Sequence, residues 1–163
     1  MPDERRRLYW DSCVFLSYLN GDSGRADVMD QLHDEATTDE LEIFTSMVSE
    51  VEVAFGKAEQ DQSAPDETVL AAIEAFWVPP SPVKMVEFHR LIARQARQLV
   101  REVKFSKGGK RLTPMDAIHL ATAQQWEVDE FQTYDGDLLK LPPRFSFAIR
   151  EPWTPTPRLP GMP

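Results

Sequence analysis

Two kinds of hydrophobic pattern alternate along this chain, and together they predict alternating strands and helices. Short bulky runs such as RRLYW (6–10) and LEIFTS (41–46) are typical of strands, as are DEFQTY (129–134) and FSFAIR (145–150). Between these runs lie segments whose apolar residues recur at helical spacing. Strands and helices that alternate in this way favour an α/β fold with a mainly parallel sheet.

Six segments are predicted as helices: SCVFLSYL, GRADVMDQLHDEATTDE, MVSEVEVAFGKAEQ, APDETVLAAIEAFWV, VKMVEFHRLIARQARQLVREV and LTPMDAIHLATAQQW. The chain has 163 residues, of which 42% are hydrophobic, enough for one domain with a proper core and too few for two. We therefore expect a single domain over residues 1–150, followed by a tail over 151–163 that is too rich in Pro to be regular.

The composition also favours one cellular compartment. No run of the sequence approaches the roughly 18 apolar residues of a membrane span, and the charged start MPDERRRLYW lacks the apolar stretch of a signal peptide. Cys13 is the only cysteine, so no intramolecular disulfide can form. These features predict a cytoplasmic protein that does not contact a membrane.

The net charge of −9 argues against a nucleic-acid partner at first sight, but the charge is unevenly distributed. Residues 22–74 carry 15 acidic residues against Arg25 and Lys57, whereas residues 81–115 carry nine Lys or Arg against Glu87 and Glu102. An acidic protein with such a segment can still present a basic face to a polyanion.

Four carboxylates occupy equivalent places near the ends of predicted strands or the starts of the helices that follow them: Asp11, Glu50, Asp116 and Asp135. In an open α/β sheet, ligands bind at the C-terminal ends of the strands. Each carboxylate alone could instead be a helix cap or a turn residue, and Asp116 has the capping-box spacing from Thr113. Together they favour a metal site, because converging carboxylates without a cation repel one another. An all-oxygen ligand set favours Mg²⁺ or Mn²⁺ over zinc.

The motifs around these residues are LYWDSCVFL, TSMVSEVEVAF, LTPMDAIHLATA and FQTYDGDL. In this order and at these separations they resemble the four acidic motifs of PIN-domain ribonucleases, particularly the VapC-type toxins of bacterial toxin–antitoxin pairs. The resemblance covers residues 8 to about 150 and implies a three-layer α/β/α sandwich. It also implies Asp11, Glu50, Asp116 and Asp135 as catalytic metal ligands, with Ser12 and Thr133 as polar support and Asp137 as a candidate fifth carboxylate.

The function implied by the resemblance is hydrolysis of RNA phosphodiester bonds assisted by Mg²⁺ or Mn²⁺. A toxin of this kind would also bind a cognate antitoxin protein. A homodimer is a second possible assembly. Two other functions compete with this one. One is a PIN-fold interaction module that no longer turns over RNA, and the other is a metal-dependent phosphohydrolase of small molecules. His119, three residues after Asp116, is expected to pack or bond beneath its helix rather than to bind metal.

A basic stripe is predicted on the longest helix, where Arg90, Arg94, Arg97, Arg101 and Lys104 recur at spacings of 4, 3, 4 and 3. Lys107, Lys110 and Arg111 follow in the loop that leads to the Asp116 helix. A solvated polar face would explain the helix equally well. Because all five helical positions are basic and the loop continues the charge, we expect these eight residues to bind RNA, although an acidic partner surface could use the same stripe.

Overall fold

The strands form one sheet in which every described pairing is parallel. A computed structural model describes residues 5–105 and 109–159. In these residues the sheet has the order β3-β2-β1-β4-β5. The strands are β1 (Arg6–Trp10), β2 (Leu41–Ser46), β3 (Val83–Val86), β4 (Glu130–Gln132) and β5 (Ala148–Arg150). Because β1 pairs in parallel with both β2 and β4, the C-terminal ends of these three strands lie side by side at one edge of the sheet.

Helices connect the strands and cover both faces of the sheet. They are α1 (Ser12–Leu19), α2 (Ala26–Thr37), α3 (Val48–Glu52), α4 (Lys57–Gln62), α5 (Glu67–Trp77), α6 (Arg90–Glu102) and α7 (Pro114–Gln125). A 3₁₀ turn spans Leu138–Lys140. The expected three-layer α/β/α architecture is confirmed.

The central strand shows how the two cores are built. Tyr9 belongs to the core beneath α6 and α7, whereas Leu8 and Trp10 belong to the core beneath α1, α2 and α5. All three side chains are fully buried. Successive residues of a strand point to opposite faces, so a strand covered on both sides reads as a continuous bulky run. This explains why LYW carries no polar position.

Two predicted helices differ from the structure. The segment predicted as one helix from Val83 contains β3, which pairs with β2, before α6 begins at Arg90. The four residues VKMV suit a strand as well as a helix. They form a strand because they pair with the edge of β2. The segment MVSEVEVAFGKAEQ forms two helices, α3 and α4. A Cβ at Gly56, the residue before α4, would lie 2.7 Å from the Val69 side chain of α5, so glycine suits this close approach.

The described part of the Pro-rich tail, residues 151–159, contains no helix or strand and packs on the domain. The Trp153 indole donates to Glu130 at 2.8 Å and lies between the guanidinium groups of Arg6 and Arg150. Gln31 of α2 donates to the Thr156 carbonyl at 2.9 Å and accepts the Arg158 main-chain N–H at 3.0 Å. Residues 151–159 therefore run along the N-terminal end of β4 and the side of α2.

Candidate active site

Asp11 directly follows β1 and begins α1. Its Oδ1 accepts the main-chain N–H of Val14 at 3.4 Å, so the carboxylate caps the helix. The Cys13 thiol donates to the same oxygen at 2.8 Å. The residue is only 5% exposed, and burial raises its pKa above the ordinary range despite the hydrogen bonds from Cys13 and Thr133. Asp11 is thus a helix cap and also a buried carboxylate whose charge water does not stabilise.

Thr133 connects the ends of β1 and β4. Its hydroxyl lies 3.2 Å from Cys13 Sγ and accepts the main-chain N–H of Asp135 at 2.9 Å. The Tyr134 N–H donates to the same sulfur at 3.2 Å. The loop that carries Asp135 is therefore fastened to the start of α1, and Thr133 lies between Asp11 and Asp135.

Asp116 lies in the first turn of α7. The Thr113 hydroxyl accepts the Asp116 N–H at 3.1 Å and donates to the Asp116 carboxylate at 2.6 Å. Burial raises the pKa of Asp116, and the negative charges of Asp135 and Glu52 raise it further, while the bond from Thr113 opposes the shift. The structure therefore brings α7, the end of β4 and α3 close enough for their carboxylates to repel one another.

Glu52, rather than Glu50, is the glutamate of α3 that the structure brings to these carboxylates. Glu50 is exposed, and its side chain has no hydrogen bond or ion pair with any other described residue. Glu52 Oε2 lies 2.6 Å from Nε2 of buried His119. Burial alone would raise the pKa of Glu52, but hydrogen bonds from His119 and Ser12 bring it below the ordinary value. Ser12 thus supports Glu52.

Sequence periodicity could not choose between the two glutamates. Ser49 and Val53 are fully buried and mark the inner side of α3. At about 100° per residue, Glu50 and Glu52 flank that side at nearly equal angles. What distinguishes them is which flank faces α7, and that depends on how the sheet brings the two helices together.

Asp137 lies at the rim of the cluster. Its carboxylate pairs with Lys110 at 2.7 Å, and this hydrogen bond and charge lower the pKa of Asp137. Its main-chain N–H donates to Asp135 Oδ1 at 2.8 Å, as the Leu138 N–H does at 3.3 Å. The backbone at Asp137 therefore orients Asp135, while its side chain is directed to a cation.

A family comparison places these motifs in one known domain. The model of the PIN domain matches residues 8–142, which include all four motifs. The chain belongs to the PIN domain family. No curated protein sequence matches it significantly.

Solved structures with this PIN fold include toxins and toxin–antitoxin complexes. The chain is similar to Mycobacterium tuberculosis VapC20, a sarcin-ricin loop cleaving toxin, at 14% identity and a TM-score of 0.57, over 80% of this chain and 91% of that one. It is also similar to VapBC2 from Rickettsia felis bound to promoter DNA, at 12% identity and a TM-score of 0.63, over 89% and 98% of the chains. A third match is a toxin–antitoxin complex from Klebsiella pneumoniae, at 19% identity and 0.53, over 90% and 98%. At these identities the likeness shows the fold.

The oxygen donors of this PIN domain fit a hard divalent cation in their chemistry. Asp11, Glu52, Asp116 and Asp135 supply carboxylates alone, and the pKa of Asp116 is raised by burial and also by the charges of Asp135 and Glu52. Within residues 5–105 and 109–159, no three His, Cys, Asp or Glu side chains lie close enough together to hold a metal ion as they stand. Side-chain rotation is therefore required before an ion can be shared.

The basic stripe of α6 is exposed. Arg90, Arg94, Arg97 and Arg101 lie at the surface of α6, whereas Ile92 and Leu99 on its other side are buried. Lys104, predicted on the same helix, is also exposed but lies beyond α6, which ends at Glu102. None of these five cations pairs with a carboxylate in the part of the chain that the structure describes. By contrast, many other arginines form ion pairs: Arg5, Arg6, Arg7, Arg25, Arg144 and Arg158. A groove of about 710 Å³ lies along the stripe, lined by Arg94, Arg97 and Arg101 among others.

The loop that follows α6 is only partly available for binding. Lys110 pairs with Asp137, and Arg111 donates to the carbonyls of Val100 and Arg101 at 3.3 and 2.6 Å. Lys107 lies outside the described residues. Arg111 thereby ties the C-terminal end of the stripe to the segment that enters α7 and Asp116.

One further observation concerns membranes. Among the described helices, none combines the length and the apolar character needed to cross a bilayer.

Proposed function

We propose that this PIN domain is a metal-dependent endoribonuclease. The observation that carries the proposal is the convergence of buried or half-buried carboxylates from four segments at one edge of the sheet. Burial raises the pKa of Asp11 and of Asp116, and the negative charges of Asp135 and Glu52 also raise the pKa of Asp116. Folding keeps repelling charges together only at a cost, and a bound cation would offset that cost. The family match supports the same chemistry.

The ion is Mg²⁺ or Mn²⁺, held by Asp11, Glu52, Asp116 and Asp135. When bound, such an ion activates a water molecule and neutralises charge on the scissile phosphate. Glu52 takes the place that the sequence suggested for Glu50. The side chain of Asp137 stays with Lys110 at the rim, where the pair limits the approach to Asp135.

Neutral groups of the chain orient these carboxylates. Cys13 and the Val14 N–H hold one oxygen of Asp11, and Thr113 holds one oxygen of Asp116. The N–H groups of Asp137 and Leu138 hold Asp135 Oδ1. In each case the bond fixes one oxygen of the carboxylate, so that the second oxygen is available to a cation.

The substrate is RNA, bound along the basic stripe of α6. Unpaired exposed arginines recruit phosphates because the counterions of the polyanion are released on binding. Since Arg111 joins the end of the stripe to the segment before Asp116, a strand on the stripe is led towards the acidic site. Lys110 already pairs with Asp137 and contributes less.

The cellular role is that of the toxin in a toxin–antitoxin pair. The similarity to VapC20 and to two toxin–antitoxin complexes supports this role. The partner is an antitoxin whose inhibitory segment places an Arg in the acidic site, because a guanidinium pairs well with clustered carboxylates. Expression of the protein alone is expected to arrest growth, and the Asp11→Asn variant is expected to be harmless. If both are harmless while purified protein cleaves RNA, the nuclease stands without the toxin role.

The nuclease itself is tested by incubating the purified protein with a panel of RNAs and DNAs in Mg²⁺, in Mn²⁺ and in EDTA. The expected result is cleavage of RNA that requires metal and is lost in Asp11→Asn. This variant keeps a side-chain oxygen to cap α1, so it serves as a folded control. Equal cleavage by the variant, or cleavage in EDTA, would assign the activity to a contaminant. Absence of any cleavage across the panel would count against the nuclease.

A further inference from the structure

A buried row of hydrogen bonds leads from the end of β2 to Glu52. The main-chain N–H of Ser46 donates to the Tyr9 hydroxyl at 2.9 Å. The same hydroxyl lies 2.7 Å from His119 Nδ1, and His119 Nε2 lies 2.6 Å from Glu52 Oε2. Tyr9 and His119 are 0% and 2% exposed, so both bonds between side chains are shielded from bulk water at the histidine.

The direction of the donors is fixed at one end of the row. Because a main-chain N–H can only donate, the Tyr9 oxygen accepts from Ser46. The phenol oxygen has a second lone pair, so the direction of its bond with Nδ1 depends on the tautomer of His119. In the tautomer that forms a donor row, the Tyr9 O–H donates to Nδ1, and the imidazole N–H on Nε2 donates to Glu52.

Packing holds the row rigid. The Tyr9 ring stacks on Phe131 with centroids 5.1 Å apart, and it meets the His119 ring edge-on at 5.8 Å. The helix that carries Glu52, in contrast, is five residues long and has no side-chain cap at its start. A helix this short does not by itself fix the side chain at its end. The bond from His119 links Glu52 to the centre of the sheet, and a hydrogen bond from Ser12 is a second constraint on this side chain.

We propose that Tyr9 and His119 are positioning residues that fix Glu52 through this donor row and so set the affinity of the acidic site for its divalent ion. The assignment to metal affinity rests on the proposed function, whereas the donor row and the tautomer do not. Residues that orient a ligand in this way typically change metal affinity by about 10–100-fold when they are removed.

The variants separate positioning from simple packing. Tyr9→Phe keeps the stacked ring but removes the O–H from Nδ1. His119→Leu removes the donor to Glu52, and His119→Gln restores a side-chain N–H donor. Tyr18→Phe is the matched control, because it removes a phenol O–H that bonds Asp30 on α2 rather than the row.

Two measurements test the proposal. Nitrogen-15 NMR of the metal-free protein should show His119 protonated on Nε2, with that N–H protected from solvent exchange in the parent and less protected in Tyr9→Phe. Mn²⁺ titration should show affinity about 10–100-fold weaker in Tyr9→Phe and His119→Leu, partly restored in His119→Gln and unchanged in Tyr18→Phe.

Each outcome decides something. A proton on Nδ1 in the parent would overturn the donor row. Lower melting temperatures with unchanged Mn²⁺ affinity in Tyr9→Phe and His119→Leu would show that the two residues only stabilise the fold. If the parent binds no Mn²⁺, the proposed metal site is wrong, and so is the claimed effect on its affinity. The tautomer of His119 and the exchange rate of its N–H still test the donor row in that case.

Discussion

At the scale of single residues, Glu50 and Glu52 form a natural matched pair. They lie two positions apart on the same short helix, yet one is exposed and the other bonds buried His119. We predict that Glu52→Gln lowers RNA cleavage and Mn²⁺ affinity by more than roughly 100-fold, because it removes the charge of a metal ligand. Roughly 100-fold is the upper end of the loss expected for a residue that only orients a ligand. Glu50→Gln should leave both nearly unchanged. Cleavage rates and Mn²⁺ titrations of the two variants check this, and the reverse order would return the site to Glu50.

A second residue, Glu130, makes stability depend on pH. Burial would raise its pKa, but hydrogen bonds from Arg6, Gln132 and Trp153 lower it below the ordinary 4.5. A lowered folded-state pKa means that the ionised form stabilises the fold, with the full contribution above about pH 5 and a loss as the pH falls through the folded pKa. Glu130→Gln should therefore be less stable than the parent at pH 7, with the gap closing below pH 4. Urea unfolding at both pH values measures the gap, and a gap that widens in acid would contradict the assignment.

At the scale of elements, α6 tests how the domain meets a polyanion. Arg94 and Arg97 are exposed and unpaired within the described residues, so their reversal should affect binding more than folding. We predict that Arg94→Glu with Arg97→Glu weakens RNA binding and reduces its dependence on salt by about one to two counterions. Lys57→Glu on α4 reverses a cation away from the stripe and serves as the control. Binding isotherms at several salt concentrations give the slope of RNA affinity against salt concentration. An unchanged slope would mean that the basic face of α6 is only a solvated face.

The same scale shows what the sequence could and could not predict. β1, β2 and the helices α1, α2, α5 and α7 follow from local pattern, because each buries one consistent face or run. The sequence predicts helix over β3, because the four residues VKMV hold no period that excludes it. α3 and α4 are separate helices, and Gly56 before α4 lies in close contact with Val69 of α5. Local patterns do not contain such contacts.

The candidate site divides in the same way. Asp11, Asp116 and Asp135 are proposed from the sequence because each follows a strand or begins a helix, a position that local sequence reveals. Glu52 is not proposed from the sequence, because its contacts depend on His119 and on the flank of α3 that faces α7. His119 was expected to bond beneath its helix, and the structure confirms that it does so. The bonding partners of His119, Tyr9 and Glu52, could not be read from spacing alone.

At the scale of the whole molecule, the proposed metal site predicts a balance at the sheet edge, where repulsion among carboxylates opposes folding and a bound cation offsets that repulsion. Asp116 is the residue where this balance is easiest to measure, since its side chain accepts from Thr113 at a helix start and also meets the charges of Asp135 and Glu52. Loss of a first-turn carboxylate that acts only as a cap costs about 0.5–2 kcal/mol. When metal is absent, removing one carboxylate from a cluster of like charges relieves their repulsion, and this relief offsets the cost of the lost cap.

Thermal melts of the parent and of Asp116→Ala, each in EDTA and in Mn²⁺, test the metal site most directly. The account predicts nearly equal stability of the two proteins in EDTA. With Mn²⁺ at a hundredfold excess over its dissociation constant, the parent should gain about 2.7 kcal/mol and the variant much less. If Asp116→Ala is instead destabilised equally in EDTA and in Mn²⁺, and both proteins respond to the ion alike, Asp116 is a structural residue of α7 and the acidic cluster is not a metal site.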